Sequence, residues 1–180
     1  MATSTAKKEV KMDMQAAMKI YQTLGTPGAP HKLLAGMAGS WATKTKAWMD
    51  STQPPMESTG TAEQTMILGG RFLRQEFTGD MMGSVFTGIG FTGYENRSKK
   101  FVSTWMDSSS TDLLYMEGTG SADGKTITLE SRYYDDPIRG PMKWRSVTKV
   151  VNDRTWLFEL YGVGKNDNAW KMLEITYTRK

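Results

Sequence analysis

At 180 residues, with a formal net charge of +4 and 38% hydrophobic residues, the chain is long enough to bury the core of one domain. It has no cysteine, which excludes disulfides, thiol catalysis and thiolate metal sites, and its single histidine argues against a zinc site. The 23 Lys and Arg are interleaved with 19 acidic residues, so no run of like charge makes a nucleic-acid footprint.

Taken in order, residues 1–12 are polar and are predicted to be disordered. Lys7 and Lys8 are not followed by the apolar segment of a secretory signal, and no run approaches the ~18 apolar residues of a membrane span. A soluble cytoplasmic protein without membrane insertion is the expectation. Residues 13–38 read as a helical segment. Asp13 is placed to cap a helix through Met14, Ala17, Met18, Tyr21 and Leu24, and Gly25 and Pro27 end it. Those apolar positions form one stripe, which predicts a helix packed on the body of the protein or across its mouth. Pro30-His31 then opens a second helical turn, Lys32 to Met37.

Residues 39–180 are almost wholly strand and turn. Strands are predicted at Ser40–Met49, Glu57–Leu68, Arg71–Thr78, Ser84–Tyr94 and Lys100–Asp107. Five more follow at Leu113–Gly118, Thr126–Tyr133, Met142–Val151, Thr155–Tyr161 and Trp170–Arg179. Ala122-Asp123-Gly124 and Asn152-Asp153 read as tight hairpin turns. About ten consecutive antiparallel strands with no intervening helix close most economically into a barrel, which removes exposed edges. The fold expected is therefore all-β: a single-domain, antiparallel up-and-down β-barrel of about ten strands, with one or two short N-terminal helices.

Gly88-Ile89-Gly90-Phe91-Thr92-Gly93 fits the G-x-G-x-x-G pattern of dinucleotide-binding folds. That motif works only where the last glycine opens a helix whose N-terminus faces the pyrophosphate. Here Tyr94 to Ser98 follow, and then another strand, Phe101 to Met106. The glycines read instead as places where a curved strand bends or lets a neighbour approach closely. No cofactor is expected.

A short helical turn before Gly39-Ser40-Trp41, with Arg179 on the last strand, resembles the calycin superfamily of lipocalins and fatty-acid-binding proteins. More specifically, His31-Lys32-x-Leu34 leading to Ala38-Gly39-Ser40-Trp41 is similar to a bacterial family known as domain of unknown function 1579. Leu68-Gly69-Gly70-Arg71-Phe72, Thr104-Trp105-Met106-Asp107-Ser108 and the closing Glu174 to Arg179 extend the likeness over roughly residues 30–179. The resemblance implies a calycin-type barrel in which Gly39, Trp41 and Arg179 are structural, the Arg179 guanidinium lying against the Trp41 ring at one barrel end. It implies no activity.

His31 precedes the first strand, where neither a haem ligand inside the barrel nor a triad base would stand, so it reads as a structural residue. Asp135-Asp136 and Asn166-Asp167-Asn168 lack calcium-loop spacing and read as turns, and no metal is expected. Alternate residues of a strand share a face. Phe101, Ser103, Trp105 and Asp107 therefore fall together, as do Phe72, Arg74 and Glu76, then Leu113, Tyr115 and Glu117. Met142 pairs with Trp144, and Trp156 with Phe158 and Leu160. With the aromatic faces inward, the ligand-binding set is Arg74, Glu76, Trp105, Asp107, Tyr115, Trp144 and Trp156; the opposite register would put the charges outside. Methionine is frequent, 14 in the chain, and Met66, Met106, Met116, Met142 and Met172 suit either an adaptable binding surface or an irregular core. The leading reading is a lumen that binds a small apolar or amphipathic molecule. The alternatives are a cofactor-independent enzyme using lumen carboxylates for acid-base chemistry and a scaffold with a filled barrel. Catalytic residues are not assignable, and a homodimer stays open.

Overall fold

Two helices and eleven strands make up residues 13–180, the part of the chain that this computed structural model describes; the stretch 1–12 lies outside it. Helix α1 (Met14–Gly25) starts where Asp13 caps it, the carboxylate accepting from the N–H groups of Gln15 and Ala16 at 3.0 and 3.3 Å. None of its side chains is buried, and Met14, Met18 and Tyr21 are 66%, 67% and 63% exposed. Most of the stripe expected to pack on the body is thus turned to solvent, with Ala17 and Leu24 partly covered. What holds α1 is Asn96, whose Nδ2 donates to the carbonyls of Leu24 and Thr26 at 2.9 and 2.8 Å. Helix α2 (Ala29–Gly36) begins earlier than the predicted turn, because Pro30 fits the first helical turn, where no N–H is needed. The His31 Nδ1 accepts the Gly28 N–H at 3.0 Å, and its buried ring meets the edge of Tyr94. The only histidine is part of a helix start.

The strands are β1 (Gly39–Ala47), β2 (Met56–Ile67), β3 (Phe72–Met81), β4 (Ser84–Glu95), β5 (Lys100–Asp107) and β6 (Leu114–Gly120). They continue with β7 (Thr126–Glu130), β8 (Tyr134–Asp136), β9 (Gly140–Asn152), β10 (Thr155–Gly164) and β11 (Ala169–Arg179). Neighbours pair antiparallel in the order β1 to β7, then β9, β10 and β11, and β11 returns to β1. The ring is closed, so the barrel wall has no free edge. The predicted strand Thr126–Tyr133 ends at Glu130, three residues short. The Ser131 hydroxyl accepts the Trp144 N–H at 2.9 Å, replacing a backbone acceptor, and backbone pairing on β9 resumes at Tyr134 opposite Met142. Strand β8 stands outside the ring as the extension of that line.

An antiparallel meander puts alternate turns at opposite ends. The β2–β3, β4–β5, β6–β7 and β9–β10 turns surround one end, where α2 packs against β2, β3 and β4. The main core lies there, around Leu34, Trp41, Leu73, Phe101, Trp156 and Tyr177. The remaining turns surround the other end, which no helix among the described residues covers.

Candidate ligand site in the barrel lumen

Residues directly opposite one another on adjacent strands share a face, so the register fixes what lines the lumen. On β5, Phe101, Ser103, Trp105 and Asp107 stand opposite Tyr94, Thr92, Gly90 and Gly88 of β4. On the other side, Phe101, Ser103 and Trp105 stand opposite Gly118, Met116 and Leu114 of β6. Phe101 and Met116 are buried while their sequence neighbours are more exposed, which marks this face as the inner one. By the same pairing Trp144 and Ser146 of β9 face inward, as do Trp156, Phe158 and Leu160 of β10.

The helix-covered end is a floor. The Arg179 guanidinium lies 4.3 Å from the Trp41 ring centroid, and Trp41 meets Trp156 edge-on at 6.1 Å. Trp156 in turn stacks on Tyr177 at 3.5 Å. Arg179 donates to the carbonyls of Ala38, Gly36 and Asp153 at 2.9, 2.9 and 3.0 Å, and the Trp41 indole N–H donates to the Met37 carbonyl. Gly39 holds φ +136°, and a Cβ there would stand 2.4 Å from the Arg179 Nη1. A polar pair lies beside this floor. Gln64 Nε2 donates to Gln75 Oε1, and Gln75 Nε2 donates to the Tyr177 hydroxyl at 3.2 Å.

The glycines of β4 explain the decoy motif. A Cβ on Gly88 would stand 2.2 Å from Trp105 Cζ2, and one on Gly90 2.8 Å from Trp105 Cε3. The indole lies flat along the wall on these two residues instead of crossing the axis. Trp170 lies on Gly162 and Phe77 on Gly79 in the same manner.

Towards the uncovered end the inner face is mixed. Ser103, Trp105 and Leu160 point inward and are only half-buried, whereas Met142 and Ser146, also inward there, are fully buried. Asp107 accepts from the Trp105 indole N–H at 2.9 Å and from the Ser109 N–H at 2.9 Å. Burial raises the Asp107 pKa, but the hydrogen bonds from Ser109, Trp105 and the Ser110 backbone outweigh it and hold the carboxyl below its ordinary value. Tyr134 stacks on Trp144 at 6.2 Å, its phenol pushed up to about 12 by burial and then by the charges of Asp136 and Asp112. Around this mouth stand the exposed side chains of Met82, Val85, Leu113 and Ile138. Met82 occupies the left-handed region at φ 57°, at the tip of the β3–β4 turn.

The family model for proteins of unknown function DUF1579 matches residues 26–179. The chain belongs to the DUF1579 family. Helix α1 precedes the matched region, so the DUF1579 part of the chain is α2 and the barrel. The crystal structure of Rv2717c from M. tuberculosis is similar in fold, with a TM-score of 0.63 at 15% identity, covering 86% of this chain and 99% of that one. A redesigned β-barrel has a TM-score of 0.42 at 13% identity, covering 82% of this chain and 95% of that one. No curated protein matches the chain.

Of the residues expected to line the site, this DUF1579 barrel brings Trp105, Asp107 and Trp144 to the uncovered half of the lumen. Trp156 also faces inward, but in the floor. Three stand elsewhere. Arg74 and Glu76 form an ion pair at 2.6 Å on the outer wall, because Leu73 and Phe77, not Phe72, are the inward residues of β3. Tyr115 is outside for the same reason, between the inward Leu114 and Met116, with its hydroxyl donating to Glu117. Met116 and Met142 are buried, whereas Met106 is 36% exposed on the outer face. Tyr134 and Trp170 escape sequence reasoning, Tyr134 because it lies in what reads as a loop. The reading of Gly88 and Gly90 as places of close approach fits the structure, with Trp105 as the neighbour. Among the described residues no group of three or more His, Asp or Glu is placed to hold a metal ion, and no helix is long and apolar enough to cross a membrane.

Proposed function

We propose that this barrel, of the calycin type that its Gly-x-Trp and terminal arginine resemble, binds a small apolar or amphipathic molecule in the uncovered half of its lumen. The observation that carries this reading is that inward side chains in the middle of their strands, Ser103, Thr148 and Phe158 among them, are only partly buried, beside rings laid flat on glycines. An apolar wall with a few convergent polar groups is the usual lining of a small-molecule site. The apolar side chains around the mouth favour the same class of ligand. Acid-base catalysis is less well supported, since a carboxyl poised for it needs a raised pKa, and the inward Asp107 is held low.

The test is a titration with a polarity-sensitive dye, fatty acids and aromatic acids, read by tryptophan quenching. Saturable binding of micromolar order, about −8 kcal/mol, is expected, and Trp105→Ala should weaken it. No saturable response to any compound would replace this reading with the filled-barrel scaffold.

A further inference from the structure

Resting on the lumen reading, we infer that the ligand carries a positive charge: an amphipathic amine whose cationic head sits at the mouth between Asp107 and the aromatic rings of Trp105, Trp144 and Tyr134. The register makes the argument. Among the described residues, the pairing of the ring strands turns two charged side chains inward, Asp107 near the mouth and Arg179 in the floor, while Asp136 of β8, outside the ring, shares the face of Met142. Arg179 is unavailable, because its guanidinium already donates to three carbonyls and covers Trp41. The fixed charge that a molecule entering the lumen meets is therefore negative.

Beside Tyr134 the rim carries Asp136 and Asp112 together with one cation, Arg139, whose charge also acts on the phenol. The nearby cation, Arg139, is directed at the Met49 carbonyl, and the Asp136 carboxylate holds the Ile138 and Arg139 N–H groups. The faces of Trp105, Trp144 and Tyr134 attract a cation through their ring quadrupoles, while the apolar wall takes the remainder of the molecule. A carboxylate head at the same place would stand beside the Asp107 carboxylate, and like charges repel.

The experiment compares dodecylamine, dodecanol and dodecanoate, each below its micelle concentration, by tryptophan quenching on the full chain. The amine should bind at least about tenfold tighter than the carboxylate, which is about 1.4 kcal/mol. Asp107→Asn, which removes the charge but keeps an oxygen acceptor, should bring that ratio close to one, with dodecanol measured on the same variant as the neutral reference. Asp112→Asn, in an exposed turn, should reduce the ratio by a smaller factor, and added salt should reduce it in the unaltered protein. Dodecanol binding with no preference for the amine, or a preference that survives Asp107→Asn, would overturn the charge assignment alone. Binding of none of the three would overturn the lumen reading and this inference together.

Discussion

Trp41 is 1% exposed and has three independent holds: the Arg179 guanidinium on its face, Trp156 at its edge and the Met37 carbonyl on its indole N–H. Truncation to alanine removes all of them and leaves a large cavity beneath α2. Trp41→Ala should cost about 3–5 kcal/mol, the range for large-to-small core changes, and chemical denaturation measures it. An unchanged midpoint would contradict the floor described above. Gly88 makes the opposite case. Adding one methyl there displaces the Trp105 ring from the wall, since the ring lies where the Cβ must go. Gly88→Ala should therefore cost about 1–3 kcal/mol and shift the tryptophan emission, whereas Gly124→Ala, in open space but at φ +68°, should leave the emission unmoved. Equal spectra for the two variants would show that Trp105 does not depend on that glycine.

At the scale of the strand, the outer wall carries a charge network of its own. Glu159 on β10 is buried between Lys149 of β9 and Lys171 of β11, at 2.8 and 2.5 Å, and Lys171 also reaches Glu174 at 2.8 Å. Burial raises the Glu159 pKa, but the two lysines outweigh it and hold the carboxyl below 4.5. A folded value below the unfolded one means stability that is complete above about pH 5 and is lost as pH falls through the folded value. Glu159→Gln should be destabilising at pH 7 by about 1–3 kcal/mol, and the gap to the unaltered protein should close as the pH falls below the Glu159 titration. Denaturation curves at pH 7 and pH 3 check the sign; a constant gap would show that the lysines do not stabilise the charged form. Helix α1 gives a second element-scale expectation. With no buried side chain and, among the described residues, the side-chain tie of Asn96, its removal together with residues 1–12 should change the stability by under about 1 kcal/mol. A larger loss on denaturation of the shortened chain would mean that α1 packs where the structure leaves it exposed.

At the scale of the molecule, the alternation of β-formers and turns made the ring of strands legible, because a meander of that length has few ways to protect its edges. The inner face was legible on β5, where Phe101, Ser103, Trp105 and Asp107 all fall on one parity. On β3 both parities carry apolar residues. Phe72 looks like a core residue, but it covers Gly93 on the outer wall, where a Cβ would stand 2.5 Å from its ring. That pulls the expected register by one residue and takes Arg74 and Glu76 with it. β6 misleads in the same way through Leu113 and Tyr115. The alternation alone cannot separate such strands; the pairing with β4 and β5 does.

The claim that the uncovered half of the lumen has room for a ligand is tested most directly by filling it. Ser103 points inward from the middle of β5, half-buried between Thr92 and Met116. Ser103→Trp should be accommodated, with a denaturation midpoint close to that of the unaltered protein, and should abolish the saturable uptake of a polarity-sensitive dye. A variant that unfolds because the indole has no space, or that binds the dye as before, would contradict the account.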